Sequence, residues 1–107
     1  MRLARASLPA VAALALLLPG NGPPPRTHIV MIEQMHFGTV PSDIKVGDVV
    51  RWENRDLFRH SATARDRSFD VDLPAGASRT MVLRKAGAFA FYCKFHPGMT
   101  GSVTVRQ

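Results

Sequence analysis

Apolar and polar positions along this chain change period several times, and each change marks an element. From His28 to Phe37 the apolar residues Ile29-Val30-Met31-Ile32, Met35 and Phe37 favour a strand without clean alternation, and Gly38 and Pro41-Ser42 end it in a turn. Ile44, Val46 and Val49-Val50-Arg51-Trp52 read as two short strands or as one strand bent at Gly47-Asp48, with Trp52 in the core. His60 to Thr63 forms a short strand before the polar turn Arg65-Asp66-Arg67-Ser68. Phe69, Val71 and Leu73 then alternate with Asp70 and Asp72, so this segment lays one apolar face on the domain until Pro74-Ala75-Gly76 stops it. Arg79 to Arg84 is a further strand, closed by Lys85-Ala86-Gly87. Beyond it Phe89, Phe91 and Cys93 point to one side and Ala90, Tyr92 and Lys94 to the other, which sends the thiol inward. Gly101 to Arg106 is the last strand, with Val103 and Val105 inward. Turn signals about every ten residues, with no convincing amphipathic helix, predict an all-β chain folded as an antiparallel β-sandwich.

The first residues follow a different rule. Met1-Arg2-Leu3-Ala4-Arg5 is basic, and Leu8 to Leu18 is an uncharged apolar run ending at Pro19-Gly20. Residues 1–22 therefore read as a secretory signal cut near Gly20 or Gly22, with an uncleaved tether as the alternative. The run is shorter than the roughly 20 apolar residues of a membrane span, so the mature form has none and the location is periplasmic. Pro23-Pro24-Pro25 makes 23–27 an extended spacer, and 28–107 is the domain. Formal charge is +6, and without Arg2 and Arg5 twelve basic face eight acidic side chains. The basic residues are scattered rather than striped among aromatics, which argues against nucleic acid and leaves acidic partners or simple solubility.

Chemistry concentrates in one stretch. Cys93, the sole cysteine, is followed by His96 and Met99, so a thiolate, an imidazole and a thioether project from one loop. A lone cysteine in an exported chain forms no internal disulfide and is a buried spectator, a reactive thiol or a ligand; its neighbours favour the ligand. A second imidazole is available from His60, after the polar turn that follows Trp52. Taken singly, His60 and His96 are also ordinary surface residues and Met99 an ordinary core filler. His28 and His36 have no companions at ligand spacing and read as strand or surface residues. Two histidines, one cysteine and a distant methionine together suit copper in an electron-transfer site.

In their order and spacing these residues resemble the cupredoxins, the small blue copper proteins, in their amicyanin and plastocyanin branch. The resemblance runs from about Ile29 to Val105. It is carried by Val46-Gly47-Asp48-Val49-Val50-Arg51-Trp52, Asn54-x-Asp56, His60, Ser68-Phe69-Asp70, Leu73-Pro74-Ala75-Gly76, Gly87-Ala88-Phe89-Ala90-Phe91-Tyr92-Cys93 and His96-Pro97-x-Met99-x-Gly101. The two-residue gap between His96 and Met99 is similar to the amicyanin loop. The resemblance implies a Greek-key sandwich binding one copper ion per chain through His60, Cys93, His96 and Met99, with the far edge of His96 presented to solvent as the electron route. It also implies that Asn54 holds the turn before His60 and that Ser61 ties the two ligand loops. Where relatives carry proline before the second histidine this chain has Phe95, whose amide is positioned to donate to the sulfur. Arg55, Arg59 and Lys94 are expected to ring His96.

The function implied is a monomeric, non-enzymatic carrier of single electrons, exchanging them with a cytochrome c, an oxidase or a dehydrogenase. A site filled by four protein donors leaves no open position for substrate, and Tyr92 and Lys94 flank Cys93 where multicentre copper enzymes place a histidine. The rivals are a copper module for storage or delivery without fast electron exchange, and an interaction domain with no metal.

Overall fold

The computed structural model of the chain describes residues 22–107, so the expected leader lies, except for its last residue, outside the described residues. Gly22 to Arg26 are exposed and irregular, as the prolines dictate, and eight strands follow. These are β1 (Thr27–Glu33), β2 (His36–Phe37), β3 (Val49–Asn54), β4 (His60–Ala64), β5 (Asp70–Leu73), β6 (Ser78–Val82), β7 (Gly87–Tyr92) and β8 (Thr100–Val105). They make two four-stranded sheets, ordered β2-β1-β3-β6 and β5-β4-β7-β8, and no helix occurs among the described residues. The expected sandwich is therefore the observed one.

One pairing departs from the antiparallel expectation: β1 and β3 run parallel, from Thr27 opposite Val49 to Ile32 opposite Asn54. Parallel neighbours need a long connection, and residues 38–48 supply it. They carry the chain past the end of β8, where Lys45 bridges Arg106, back to the end at which β1 began. Side-chain alternation carries no information about strand direction, so the pattern left this open.

The imperfect alternation of β1 also has a cause. Burial along Thr27–Glu33 does alternate, with His28, Val30 and Ile32 inward and Ile29 and Met31 outward. An inward histidine among outward apolar residues scrambles the pattern; of the two readings of His28, strand or surface, the strand one holds, with the side chain buried. His28 is 4% exposed and its Nε2 lies 2.8 Å from Oδ2 of Asp48. That carboxylate also accepts the backbone N–H groups of Arg26 and Lys45, both at 3.0 Å.

These bonds, the one from His28 foremost and then those from the two amides, outweigh the opposing effect of burial and hold Asp48 at a pKa of about 2, below its usual 3.8. A depressed carboxyl contributes stability that is complete above the unfolded pKa and is lost as pH falls through the folded one. Thermal stability should therefore fall between about pH 4 and pH 2. Asp48→Asn should be less stable at neutral pH and should show a flatter acid limb; an acid limb unchanged in the variant would assign the loss to other carboxylates.

Between the sheets Trp52, Phe91, Ile32, Ile44, Leu73, Val30 and Val50 are buried to 1% exposure or less. Phe91 is the hub, meeting Trp52 edge-on at 5.1 Å and Phe37 at 4.8 Å between centroids. Its cross-strand partner is Gly101, where an added Cβ would stand 2.4 Å from the Phe91 ring. The glycine in the motif after Met99 thus makes room for the aromatic two residues before Cys93, and the end of β7 is held against the start of β8. That junction fixes the base of the loop carrying the candidate donors.

Candidate metal centre

Cys93, His96 and Met99 lie on the β7–β8 connection, which is wound on itself by backbone bonds. The His96 N–H donates to the Cys93 carbonyl (3.3 Å), the Met99 N–H to the His96 carbonyl (2.8 Å), and the Cys93 N–H to the Met99 carbonyl (3.1 Å). Pro97-Gly98 forms the turn between. His60 opens β4, which pairs with β7 through Thr63 opposite Tyr92, so the sheet register brings a residue 33 positions away in sequence to the same end. His60 and Cys93 are fully buried, Met99 is 6% exposed, and His96 is half-buried.

Ligand atoms of His60, Cys93 and His96 all lie within 4.8 Å of one another. Cys93 Sγ is 3.6 Å from His60 Nδ1 and 3.8 Å from His96 Nδ1. A first-row metal with bonds of ~2.3 Å to sulfur and ~2.0 Å to imidazole, spread at about 120°, needs those atoms ~3.7 Å apart. The donors already stand at that separation. Two imidazoles with a thiolate, and a buried thioether on the same loop, form the soft, closed set that suits copper.

Around the donors, Asn54 and Ser61 do what the resemblance implied. Asn54, 2% exposed, uses Nδ2 to donate to the carbonyls of Phe58 (2.8 Å), Leu73 (2.9 Å) and Pro74 (3.2 Å), while its Oδ1 accepts the Asp56 N–H. It therefore stitches residues 54–58 to the end of β5. Ser61 ties the loops twice: its Oγ accepts the Lys94 N–H at 2.9 Å, and its own N–H donates to Cys93 Sγ at 3.4 Å. The short hydroxyl suffices because β4 runs directly beside the ligand loop.

Asp56 is the functional residue that the sequence reading left without a role. Its Oδ2 lies 2.7 Å from His60 Nε2. A carboxylate acceptor there places the ring proton on Nε2 and leaves Nδ1, the atom facing Cys93, as a lone-pair donor. Burial pushes the Asp56 carboxyl up, but hydrogen bonds from His60 and from the Met35 and Gln34 amides outweigh it and leave it below 3.8. An acid four residues before a candidate histidine was the available signal.

Two expectations about the rim are corrected. Phe95 makes no hydrogen bond to the sulfur through its amide; the N–H that reaches Sγ belongs to Ser61. The loop turns so that the next amide, that of His96, folds back on the Cys93 carbonyl instead. Arg55, Arg59 and Lys94 do not form an open cationic ring, because each is paired: Arg55 with Glu53 at 3.3 Å, Arg59 with Asp72 at 2.9 Å and Lys94 with Asp70 at 2.8 Å. Beside these paired cations the rim exposes apolar side chains. Leu57 is 90% exposed, Phe58 58% and Phe95 44%, with the Phe58 ring edge-on to His96 at 6.3 Å and the Arg59 guanidinium stacked over Phe95 at 4.8 Å.

No family model matches the chain. An amicyanin of Paracoccus versutus is 29% identical over 83 residues, covering 72% of this chain; the chain spans 63% of that relative's length. Among solved structures, a reduced amicyanin mutant with phenylalanine in place of a proline superposes with a TM-score of 0.63 at 28% identity, over 73% of this chain and 80% of the other. The Cu(I) form of a methionine-to-glutamine amicyanin mutant gives 0.63 at 26% identity, over 75% and 82%. An oxidized proline-to-alanine amicyanin mutant gives 0.61 at 27%, over 73% and 80%.

Proposed function

We propose that this chain, an amicyanin-like cupredoxin in sequence and fold, carries single electrons between redox proteins through one type 1 copper ion held by His60, Cys93, His96 and Met99. The observation that carries the reading is the convergence of a buried thiol and two imidazoles from separate loops at metal-bonding separation, with one of the imidazoles half-exposed under an apolar rim. Copper bound there supplies a one-electron Cu(I)/Cu(II) couple. The protein's part is to hold the donors still. Ser61 and Asn54 lock the loops to each other and to β5, so a change of charge at the centre meets a fixed donor geometry and little reorganisation. Four protein donors fill the site, which supports a carrier rather than an enzyme.

The exposed route runs through His96, whose ring meets His60 at 5.0 Å on one side and Phe58 on the other. Leu57, Phe58 and Phe95 around it form a surface that sheds water readily against a cytochrome c, an oxidase or a dehydrogenase. The basic and then apolar pattern of residues 1–22 supports work in the periplasm, which cell fractionation checks, and a solution mass checks that the carrier is a monomer. No helix among the described residues is long and apolar enough to cross a membrane.

Cu(II) added to the metal-free protein is expected to give an intense blue colour, with fast electron self-exchange by NMR line broadening and slow loss of copper to a chelator. Colour with rapid loss to the chelator supports storage or delivery instead, and no colour supports a metal-free interaction domain.

A further inference from the structure

The hairpin between β1 and β2 turns through Gln34 and Met35, and both have positive φ, 53° and 62°. Two-residue hairpin turns of this hand normally carry Asn or Gly, because an L side chain in the left-handed region crowds its own backbone. Neither residue here relieves that crowding. The turn persists because its two amides point the same way, at one carboxylate: the Gln34 N–H donates to Asp56 Oδ1 at 2.7 Å and the Met35 N–H to Oδ2 at 3.0 Å. Both oxygens are engaged, the Asp56 side chain is 11% exposed, and its own N–H is held by Asn54. The neighbouring Arg55 N–H donates to the Ile32 carbonyl of β1 at 2.8 Å, which seats the whole turn on the hairpin.

We propose that the β1–β2 hairpin is a positioning element for the metal centre: its left-handed turn clamps Asp56 by both oxygens, and Asp56 in turn fixes the tautomer and orientation of the His60 imidazole. This rests on His60 being a ligand. A carboxylate with one oxygen free would rotate and let the imidazole ring flip; one gripped at both oxygens presents a single acceptor to Nε2 in a single direction. The negative charge also strengthens His60 as a donor, so the clamp biases the couple toward Cu(II). Neither Gln34 nor Met35 makes a hydrogen bond to a candidate donor atom; their amides reach His60 through Asp56.

The test uses the full chain, first without metal, by nitrogen NMR of the histidine rings well above the ordinary imidazole pKa. In the parent, His60 should be a single Nε2–H tautomer. Gln34→Pro, which removes one clamping amide and forbids the positive φ, should give a tautomer mixture, whereas Gln34→Gly, which keeps the amide and relieves the crowding, should match the parent. Asp56→Ala should also give a mixture and, once loaded, should bind copper roughly 10- to 100-fold more weakly. Asp56→Asn, which keeps one acceptor oxygen but sets an NH2 group against a clamping backbone N–H, should also give a tautomer mixture. The idea is overturned if Gln34→Pro and Gln34→Gly give the same His60 signals as the parent, or if Asp56→Ala retains the pure tautomer. Should the parent fail to turn blue with Cu(II), the ligand reading falls, while the metal-free tautomer measurement still decides whether the clamp acts on His60.

Discussion

Cys93→Ser is expected to abolish the intense visible absorption of the Cu(II)-loaded protein and to leave a folded domain. The Cys93 side chain has two separable roles. As a donor, the thiol is irreplaceable, because a serine hydroxyl remains protonated at neutral pH and is a poor ligand for soft copper, so the thiolate-to-copper charge transfer disappears with the sulfur. As a packing element it is minor. Cys93 is fully buried but sits at the end of β7, beyond the last residue paired with β8, and the core hub is Phe91. Serine is slightly smaller, and its oxygen stands near the Ser61 N–H that now donates to Sγ, so the buried hydroxyl has a partner. The cost should be about 1–2 kcal/mol, within the ordinary range for single substitutions. Visible absorption and circular dichroism measured on one sample check both halves. Intense colour in the serine protein would remove Cys93 from the centre, and loss of the sheet signal would show that the thiol is structural.

How much of this was legible in the chain depends on the range of the interaction. Cys93, His96 and Met99 share one loop, so local spacing was enough to group them. The strands of the second sheet followed from alternation, which is a local property too: Phe89 and Phe91 inward, Val103 and Val105 inward. His60 needed the resemblance, because only the β4–β7 register brings it to Cys93. Strand direction escaped altogether, and with it the parallel β1–β3 pair. The clamp on Asp56 was equally hidden, since Gln34 and Asp56 lie 22 residues apart and no residue in the turn carries the usual Asn-Gly mark. The charges misled for a related reason. Arg59 and Lys94 lie beside the ligand loops in sequence, but Asp72 and Asp70, which neutralise them, come from β5 across the sheet. A count along the chain sees the cations and misses their partners.

That pairing leads to an expectation about docking. Electron self-exchange should depend strongly on Leu57 and Phe58 and only weakly on salt. Two copies meeting through the His96 edge present the same surface to each other, so every apolar side chain on it is buried twice. Full burial of a leucine or phenylalanine is worth about 1.5–3 kcal/mol, and an encounter that realises half of it on each copy contributes a similar amount in total. Leu57→Ser should then slow self-exchange by ~10- to 100-fold, at ~1.4 kcal/mol per factor of ten, and Phe58→Ser somewhat less, since more of that ring is already covered. The copper spectrum and potential should not move, because neither side chain is a donor. Unpaired charges at the rim would change association rates by ~10- to 10³-fold between low and high salt. With Arg59 and Lys94 each held within 2.9 Å of its own carboxylate, and Arg55 sharing Glu53 with Arg51, the cationic field at the rim is weakened, and the salt response should stay below tenfold. Line broadening in mixtures of the reduced and oxidized protein, measured across ionic strength, decides the matter. A steep salt dependence with no effect of Leu57→Ser would mean that charge steering, and not the apolar rim, governs the approach to His96.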